Sequence, residues 1–209
     1  MKLTIVITGV LLLATGLLAA GGCAKQPPIS KQANESMMAT TEKSAQQGAG
    51  KNRKILIAYF SRSGNTKAFA ETIQKQIGGS LWAIEPQTAY PKNYNQVVEQ
   101  AKGEVDSKVT PKLAGKIDNF RDYDIVFIGT PIWWYTVAPP VRAFLAEYDM
   151  AGKTIIPFST HKGSGLSGID KAMQELQPKA KVLEGLAIWD GQAKNKQTEI
   201  QNWLRRLNL

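Results

Sequence analysis

The sequence has very few residues that build disulfides or metal centres. Its 209 residues include one cysteine and one histidine. A single cysteine cannot form an internal disulfide, and one cysteine with one histidine cannot supply the ligands of a structural zinc site or an iron–sulfur cluster. We therefore predict no disulfide framework and no metal site.

Aromatic residues are absent from the N-terminal part of the chain. Every phenylalanine, tryptophan and tyrosine lies at or after Tyr59. A segment without aromatic residues has little apolar surface to offset the loss of chain entropy on folding. We therefore predict that one folded domain covers residues 53–209 and that residues 1–52 are not part of it.

The N-terminal segment has the pattern of a secretory signal. Lys2 is followed by an uncharged, mostly apolar run over residues 3–22, as expected of a signal peptide. The run is also about long enough to span a bilayer, so a retained transmembrane helix is the alternative. It ends in Ala20-Gly21-Gly22-Cys23, which resembles a bacterial lipobox with Ala20 where leucine is usual. This resemblance implies a lipoprotein signal peptide over residues 1–22 and lipid attachment at Cys23.

Residues 23–52 are predicted to be a disordered tether. They are mainly small and polar residues with scattered prolines and show no sustained apolar period, a composition that does not build a core. A tether that begins at a lipidated Cys23 would hold the domain at a membrane. The predicted location is therefore the cell envelope, outside the cytoplasm.

Segments with strand and helix patterns alternate five times after residue 53. The predicted strands are continuous apolar runs, as in a parallel sheet that is buried on both faces. They cover residues 55–60, 81–84, 125–129 and 155–158, with a fifth strand within residues 181–188. Between them apolar residues recur at helical spacing, as in Ala70, Ile73 and Ile77. This alternation predicts a doubly wound α/β domain.

The loop after the first predicted strand is rich in hydrogen-bond donors. In open α/β sheets, ligands bind outside the carboxyl ends of the strands. Hydroxyl and amide side chains surround a glycine here, just before a helix, which predicts a phosphate cradle. The alternative is a helix cap formed by Ser63 or Thr66, and the Gly-Lys-Ser/Thr ending of a Walker loop is absent. The candidate residues are Ser61, Arg62, Ser63, Gly64, Asn65 and Thr66.

The loop after the third predicted strand contains three adjacent aromatic residues between prolines. Three neighbouring aromatic side chains cannot all enter one core, so at least one is predicted to lie at the surface. A planar ligand that stacks on an aromatic face would explain this exposure. The alternative is that two pack inward and one covers a seam. The candidates are Thr130, Pro131, Ile132, Trp133, Trp134 and Tyr135.

The loop after the fourth predicted strand combines glycines with cationic side chains. Its glycines allow backbone amides to approach a ligand, and His161 or Lys162 would place positive charge beside it. The segment 163–168 also matches the dinucleotide pattern G-x-G-x-x-G. We interpret this match as coincidental, because too little chain follows it to build a dinucleotide-binding sheet. The other candidates are Ser159, Thr160, Gly163 and Gly165.

These three loops, in this order, resemble the flavodoxin-like family over about residues 54–209. The resemblance is to the compact branch whose second loop reads Gly-Thr-Pro-Ile-Trp-Trp. It implies a three-layer sandwich with a five-stranded parallel sheet in the order 2-1-3-4-5, and FMN as the cofactor. By this resemblance the first loop holds the FMN phosphate, the second flanks the ribityl chain and the isoalloxazine ring, and the third closes over the other edge.

The resemblance leaves two functions open. One is a tethered FMN electron carrier that serves a redox partner protein. The other is an NAD(P)H-dependent reductase of quinones or flavins, with a quinone-like acceptor and with His161 or Lys162 assisting proton transfer or stabilising charge. Carriers of this family are usually acidic, whereas this chain has a net charge of +9, which argues against a low-potential role. We favour the carrier and predict no nucleic-acid partner.

Overall fold

Strands and helices alternate along residues 53–209, which are the residues described by the computed structural model. The predicted signal segment 1–22, the tether 23–52 and Cys23 lie outside the described residues. Two short 3-10 helices cover Phe120–Asp122 and Ala193–Asn195. The strands are β1 (Ile55–Tyr59), β2 (Ser80–Ala83), β3 (Ile125–Trp133), β4 (Thr136–Val137), β5 (Thr154–His161), β6 (Lys181–Val182) and β7 (Leu186–Trp189). The helices are α1 (Asn65–Ile77), α2 (Tyr94–Ser107), α3 (Pro139–Glu147), α4 (Ile169–Leu176) and α5 (Gln197–Leu207).

The sheet has the topology predicted from the sequence. Parallel strands run in the order β2-β1-β3-β5, and β6 and β7 both pair with the outer side of β5. The two-residue β4 pairs antiparallel with the end of β3. Since β5 is the fourth predicted strand and β6 with β7 occupies the fifth position, the predicted doubly wound α/β sandwich with the order 2-1-3-4-5 is confirmed.

The fifth position of the sheet holds two short strands where the sequence predicts one. The N–H of Leu183 donates to the carbonyl of Ile155 at 2.9 Å. Backbone groups of alternate residues in a strand face the same neighbouring strand, so Pro157 faces the same neighbour as Ile155. Proline has no N–H to donate to that neighbour. A proline removes one ladder hydrogen bond. Pairing therefore stops after Val182 and resumes at Leu186.

Helices cover both faces of the sheet, because the strand residues are apolar on both faces. Helices α1 and α5 cover one face, over a core that includes Ile57, Phe127, Ile156, Phe158 and Trp203. Helices α2, α3 and α4 lie on the other, over a core that includes Leu56, Val126, Ile128, Phe144 and Met173. Within the described part of the chain, no helix combines the length and apolarity needed to cross a bilayer.

The ring of Phe158 in β5 lies against Gly129 of the neighbouring strand β3. A Cβ atom placed on Gly129 would lie 2.2 Å from Cζ of the fully buried Phe158. Phe158 in turn contacts Phe69 of α1, with their ring centroids 4.9 Å apart. The missing side chain at Gly129 thus makes room for the ring that separates β5 from α1.

Candidate functional site

The carboxyl ends of β1, β3 and β5 meet around one cavity of about 610 Å³. All three loops singled out in the sequence contribute to its lining. The candidates in its wall are Arg62, Ser63, Thr66, Pro131, Ile132, Trp133, Trp134, Tyr135, Thr160, His161, Lys162 and Gly163. Other candidates belong to the same loops and strand ends but do not line this cavity: Ser61, Gly64, Asn65, Thr130, Ser159 and Gly165.

The first loop leads into α1 through Gly64, which has the left-handed φ of 85° that glycine adopts without strain. Helix α1 has no acidic residue in its first turn, and no side chain caps its N-terminus. The alternative interpretation of Ser63 or Thr66 as a helix cap is therefore wrong for this structure. The amides at the start of α1 remain available to an anion, which the helix dipole also favours.

The hydrogen bonds that the first loop makes leave two hydroxyl protons free to bind a ligand in the cavity. Nδ2 of Asn65 donates to Oγ of Ser63 at 3.1 Å and to Oδ1 of Asp190 at 2.6 Å. The hydroxyls of Thr66 and Thr160 are 2.9 Å apart and share one hydrogen bond. Ser63 acts as an acceptor here and keeps its own proton, and one of the two threonines does the same. Two side-chain donors are thus left for a ligand beside the start of α1.

The second loop is a β-hairpin, which corrects the loop predicted for residues 130–135. Strand β3 continues to Trp133, and the hairpin turns at Trp134 and Tyr135, with φ values of 48° and 60°. Two-residue hairpin turns with both φ values positive usually contain glycine or asparagine, so large side chains here are strained. Trp134 is 43% exposed and Tyr135 76%. The prediction that at least one of the three aromatic residues lies at the surface is confirmed.

Side-chain hydrogen bonds hold this hairpin in place. Oγ1 of Thr130 accepts from the N–H of Ala138 at 3.0 Å and donates to the carbonyl of Pro131 at 2.8 Å. Nε1 of Trp134 donates to the carbonyl of Val98 in α2 at 3.1 Å. The hydroxyl of Thr130 is thus occupied in supporting the hairpin.

Trp133 anchors the base of the hairpin in an aromatic cluster. Its ring centroid lies 5.3 Å from that of Phe60 and 5.0 Å from that of Tyr90, with both pairs edge to face. Such pairs stabilise packing beyond the area they bury. Of the three adjacent aromatic residues, Trp133 therefore packs inward, and the other two form the rim of the cavity.

The third loop begins where β5 ends. Nδ1 of His161 accepts from the N–H of Gly163 at 3.0 Å, and the imidazole packs edge to face on Trp189. Nζ of Lys162 lies 5.9 Å from the ring centroid of Tyr94, a cation–π contact. Ser159 is fully buried and points to the opposite face from Thr160, because neighbouring strand residues alternate. This loop thus places one imidazole and one ammonium group in the cavity wall.

Comparison with protein-family models agrees with the observed fold. The family model described as Flavodoxin matches residues 54–207. The chain belongs to the flavodoxin family. No curated protein matches the sequence.

Solved structures with the same fold cover nearly all of the flavodoxin domain. A protein assigned as a flavoprotein from Bacteroides eggerthii is 30% identical, with a TM-score of 0.68 over 76% of this chain and 99% of its own. A second from Bacteroides uniformis is 28% identical, with a TM-score of 0.66 over 74% and 99%. A flavoprotein from Lactobacillus acidophilus NCFM, solved in complex with FMN, is 23% identical, with a TM-score of 0.58 over 70% and 99%.

Three residues in the wall of this flavodoxin's cavity were missed in the sequence. Ser164 lies in the third loop, between the candidates Gly163 and Gly165. Asp190 follows the strand at the fifth position. Since ligands bind outside the carboxyl ends of the strands, a search of this strand end would have found it. Tyr94 carries no such signal. It reaches the cavity because Nη2 of Arg62 donates to the carbonyl of Lys92 at 2.8 Å, which ties the first loop to the start of α2.

Behind the hairpin of this flavodoxin, a phenol and a carboxylate share a short hydrogen bond. The hydroxyl of Tyr90 donates to Oε2 of Glu104 at 2.5 Å, and Nε2 of Gln100 donates to Oε1 at 2.8 Å. Burial, and then the hydrogen bond and negative charge of Glu104, raise the pKa of Tyr90 well above its ordinary value. The phenol is therefore held in its protonated form where it supports Trp133.

The Tyr90 hydroxyl should make the domain sensitive to alkaline pH. Because the pKa of Tyr90 is higher in the folded state, its protonated hydroxyl stabilises the fold fully below the ordinary tyrosine pKa of about 10. This contribution to the free energy of unfolding is lost as the pH rises from that value toward the folded-state pKa. Between pH 9 and pH 11, wild type should lose about 1 kcal/mol more stability than Tyr90→Phe, with partial exposure taken into account. Urea unfolding at both pH values measures this, with Tyr135→Phe as an exposed control. Equal losses in wild type and Tyr90→Phe would contradict it.

Proposed function

We propose that this flavodoxin domain binds FMN in the 610 Å³ cavity and transfers electrons at the cell envelope. The observation that carries the proposal is the division of the cavity into two chemically different ends. Hydroxyls and the uncapped start of α1 lie at one end, and aromatic rings form the rim at the other. The Lactobacillus acidophilus flavoprotein with this fold was solved in complex with FMN.

The donor end fits a phosphate monoester without a metal. Ser63, one hydroxyl of the Thr66–Thr160 pair and the first amides of α1 supply donors at the same end of the cavity. Hydrogen bonds to a charged group contribute about 1.5–3 kcal/mol each. The Oγ of Ser61 is buried without a partner in the described structure, but Ser61 lines a neighbouring cavity and does not contribute to this end.

The aromatic end fits a planar conjugated ring. Trp134, Tyr135 and Tyr94 expose their rings around the mouth, and Ile132 and Trp133 form the apolar wall behind them. Aromatic faces stack on such rings. FMN bound here would supply reversible electron transfer. The ammonium group of Lys162 would favour negative charge on the ring, and this supports a higher potential than in acidic carriers.

A reductase that uses NAD(P)H and a quinone or flavin is the second candidate function. The observation that favours it is the imidazole of His161 in the cavity wall. Because Nδ1 accepts from the N–H of Gly163, the neutral imidazole carries its proton on Nε2. Nε2 would then be the atom that exchanges a proton with a substrate.

The location at the membrane is a proposal that rests on the sequence of the N-terminal segment. The apolar run over residues 3–22 and the small residues before Cys23 support export and lipid attachment. Mass spectrometry of the mature protein tests this proposal. We expect a lipid-modified Cys23 at the N-terminus, and an unmodified Cys23 still joined to residues 1–22 would contradict it.

Titration of the full-length protein with FMN tests the proposed function. We expect the apoprotein to bind FMN more tightly than riboflavin, because riboflavin lacks the phosphate. NADH and NADPH oxidation are then assayed with and without a quinone. The carrier should show no rapid steady turnover, whereas rapid turnover would identify the reductase. Failure to bind any flavin would reject both functions.

A further inference from the structure

A carboxylate lies at the donor end of the cavity. Asp190 follows β7, and its backbone is fixed because its N–H donates to the carbonyl of His161 at 2.8 Å. Its side chain lines the same cavity as Ser63 and Thr66. Nδ2 of Asn65 is bonded both to Oδ1 of Asp190 and to Oγ of Ser63. The carboxylate therefore lies directly beside the hydroxyls that would hold a phosphate.

No cation neutralises this carboxylate among residues 53–209. The ion pairs within 4 Å in this part of the chain involve other carboxylates. The described contacts of the cationic side chains and of the imidazole in the cavity wall are with other partners than Asp190. Arg62 is bonded to the carbonyl of Lys92, His161 accepts from Gly163, and Lys162 lies over the ring of Tyr94.

We propose that Asp190 makes the cavity discriminate between the charge states of a bound phosphate monoester, an inference that rests on the proposed FMN function. Asp190 opposes an anion that the rest of the loop attracts. A phosphate monoester carries one negative charge below its second pKa of about 6 and two above it. The repulsion therefore doubles as pH rises through this value.

The size of the effect follows from Coulomb's law. The repulsion of two unit negative charges about 4 Å apart in water corresponds to about a fivefold change in affinity. With this weakest limit, each phosphate charge lowers the affinity about fivefold and two charges lower it about thirtyfold. Removal of the charge of Asp190 should therefore strengthen FMN binding more at pH 8 than at pH 5.

The variant Asp190→Asn tests this inference, because it removes the charge and keeps an oxygen that accepts from Asn65. Dissociation constants for FMN and riboflavin are measured on the full-length protein at pH 5 and pH 8. FMN should bind about fivefold more tightly than to wild type at pH 5 and about thirtyfold more tightly at pH 8. Riboflavin should be unaffected. Asp149→Asn removes a carboxylate charge just before β5, at the amino ends of the strands, and should change the binding of neither FMN nor riboflavin.

Other outcomes would overturn the inference in distinguishable ways. Weaker FMN binding would show that Asp190 acts only by orienting Asn65, and equal gains at both pH values would exclude discrimination by phosphate charge. An equal gain for riboflavin would place the effect away from the phosphate. In these cases the wild type still binds FMN and the proposed function stands. A wild type that binds no flavin removes both. Asp190→Ala removes the same charge and replaces the asparagine variant if that variant does not fold.

Discussion

Gly129→Ala should lower the free energy of unfolding by about 3 kcal/mol, the upper part of the range for overpacked cores. The new Cβ would fall 2.2 Å from Cζ of Phe158, so the ring or a strand must move. The ring has little room, because Phe158 is fully buried and packs on Phe69 with centroids 4.9 Å apart. Urea unfolding of the full-length protein gives the change in free energy.

The matched control for this substitution is Gly103→Ala. Gly103 lies inside α2, and a Cβ atom added there meets nothing within 4 Å. Alanine is the better helix former by about 1 kcal/mol, so this variant should be slightly more stable than wild type. A loss below 1 kcal/mol for Gly129→Ala would mean that β3 and β5 separate easily. It would also contradict the view that this contact fixes the spacing between β5 and α1.

Ser63→Ala combined with Thr66→Val should weaken FMN binding at least tenfold while riboflavin binding changes less than threefold. Of the two side-chain donors at the phosphate end, the double variant keeps only the hydroxyl of Thr160, and each bond to a charged group contributes about 1.5–3 kcal/mol. Valine keeps the shape of the buried Thr66 but leaves the hydroxyl of Thr160 without its partner. Some loss of stability is therefore expected, and thermal unfolding should be measured alongside binding.

Thr72→Val provides the control on the same helix. Thr72 is largely buried in α1, and its hydroxyl donates to the carbonyl of Ala68, away from the cavity. This variant should bind both flavins as wild type does. Equal losses of FMN and riboflavin in the Ser63 and Thr66 double variant would place the phosphate elsewhere. The proposed assignment of the donor end would then be wrong.

The sequence predicts the strands that carry the site better than the backbone of the site itself. Strand β1 is marked by an apolar run, and the start of α1 is marked by Gly64 at the end of the polar loop that follows. The hairpin after Gly129 was not found, because Trp134 and Tyr135 occupy a turn that ordinarily signals itself by asparagine or glycine. Aromatic and β-branched residues favour strands, and residues 130–133 were open to that interpretation.

Long-range contacts decide the remaining differences. Tyr94 enters the cavity because Arg62 is hydrogen-bonded to the carbonyl of Lys92, two residues far apart in the chain. No local pattern in the sequence encodes such a contact. The sequence therefore predicts the site residues that lie at the ends of strands, but not the hydrogen bonds between distant residues.

The break opposite Pro157 also affects how this sheet meets other molecules. A long, straight edge strand exposes a row of unpaired backbone groups to which another chain can add by strand pairing. Here the outer edge consists of two residues in β6 and four in β7. At the opposite edge, just beyond β2, backbone hydrogen bonds join two segments of the same chain. The N–H of Gln87 donates to the carbonyl of Lys112, and the N–H of Ala114 donates to the carbonyl of Glu85. Neither edge is a long template for aggregation, which would matter if the proposed lipid attachment concentrates the protein on a membrane surface.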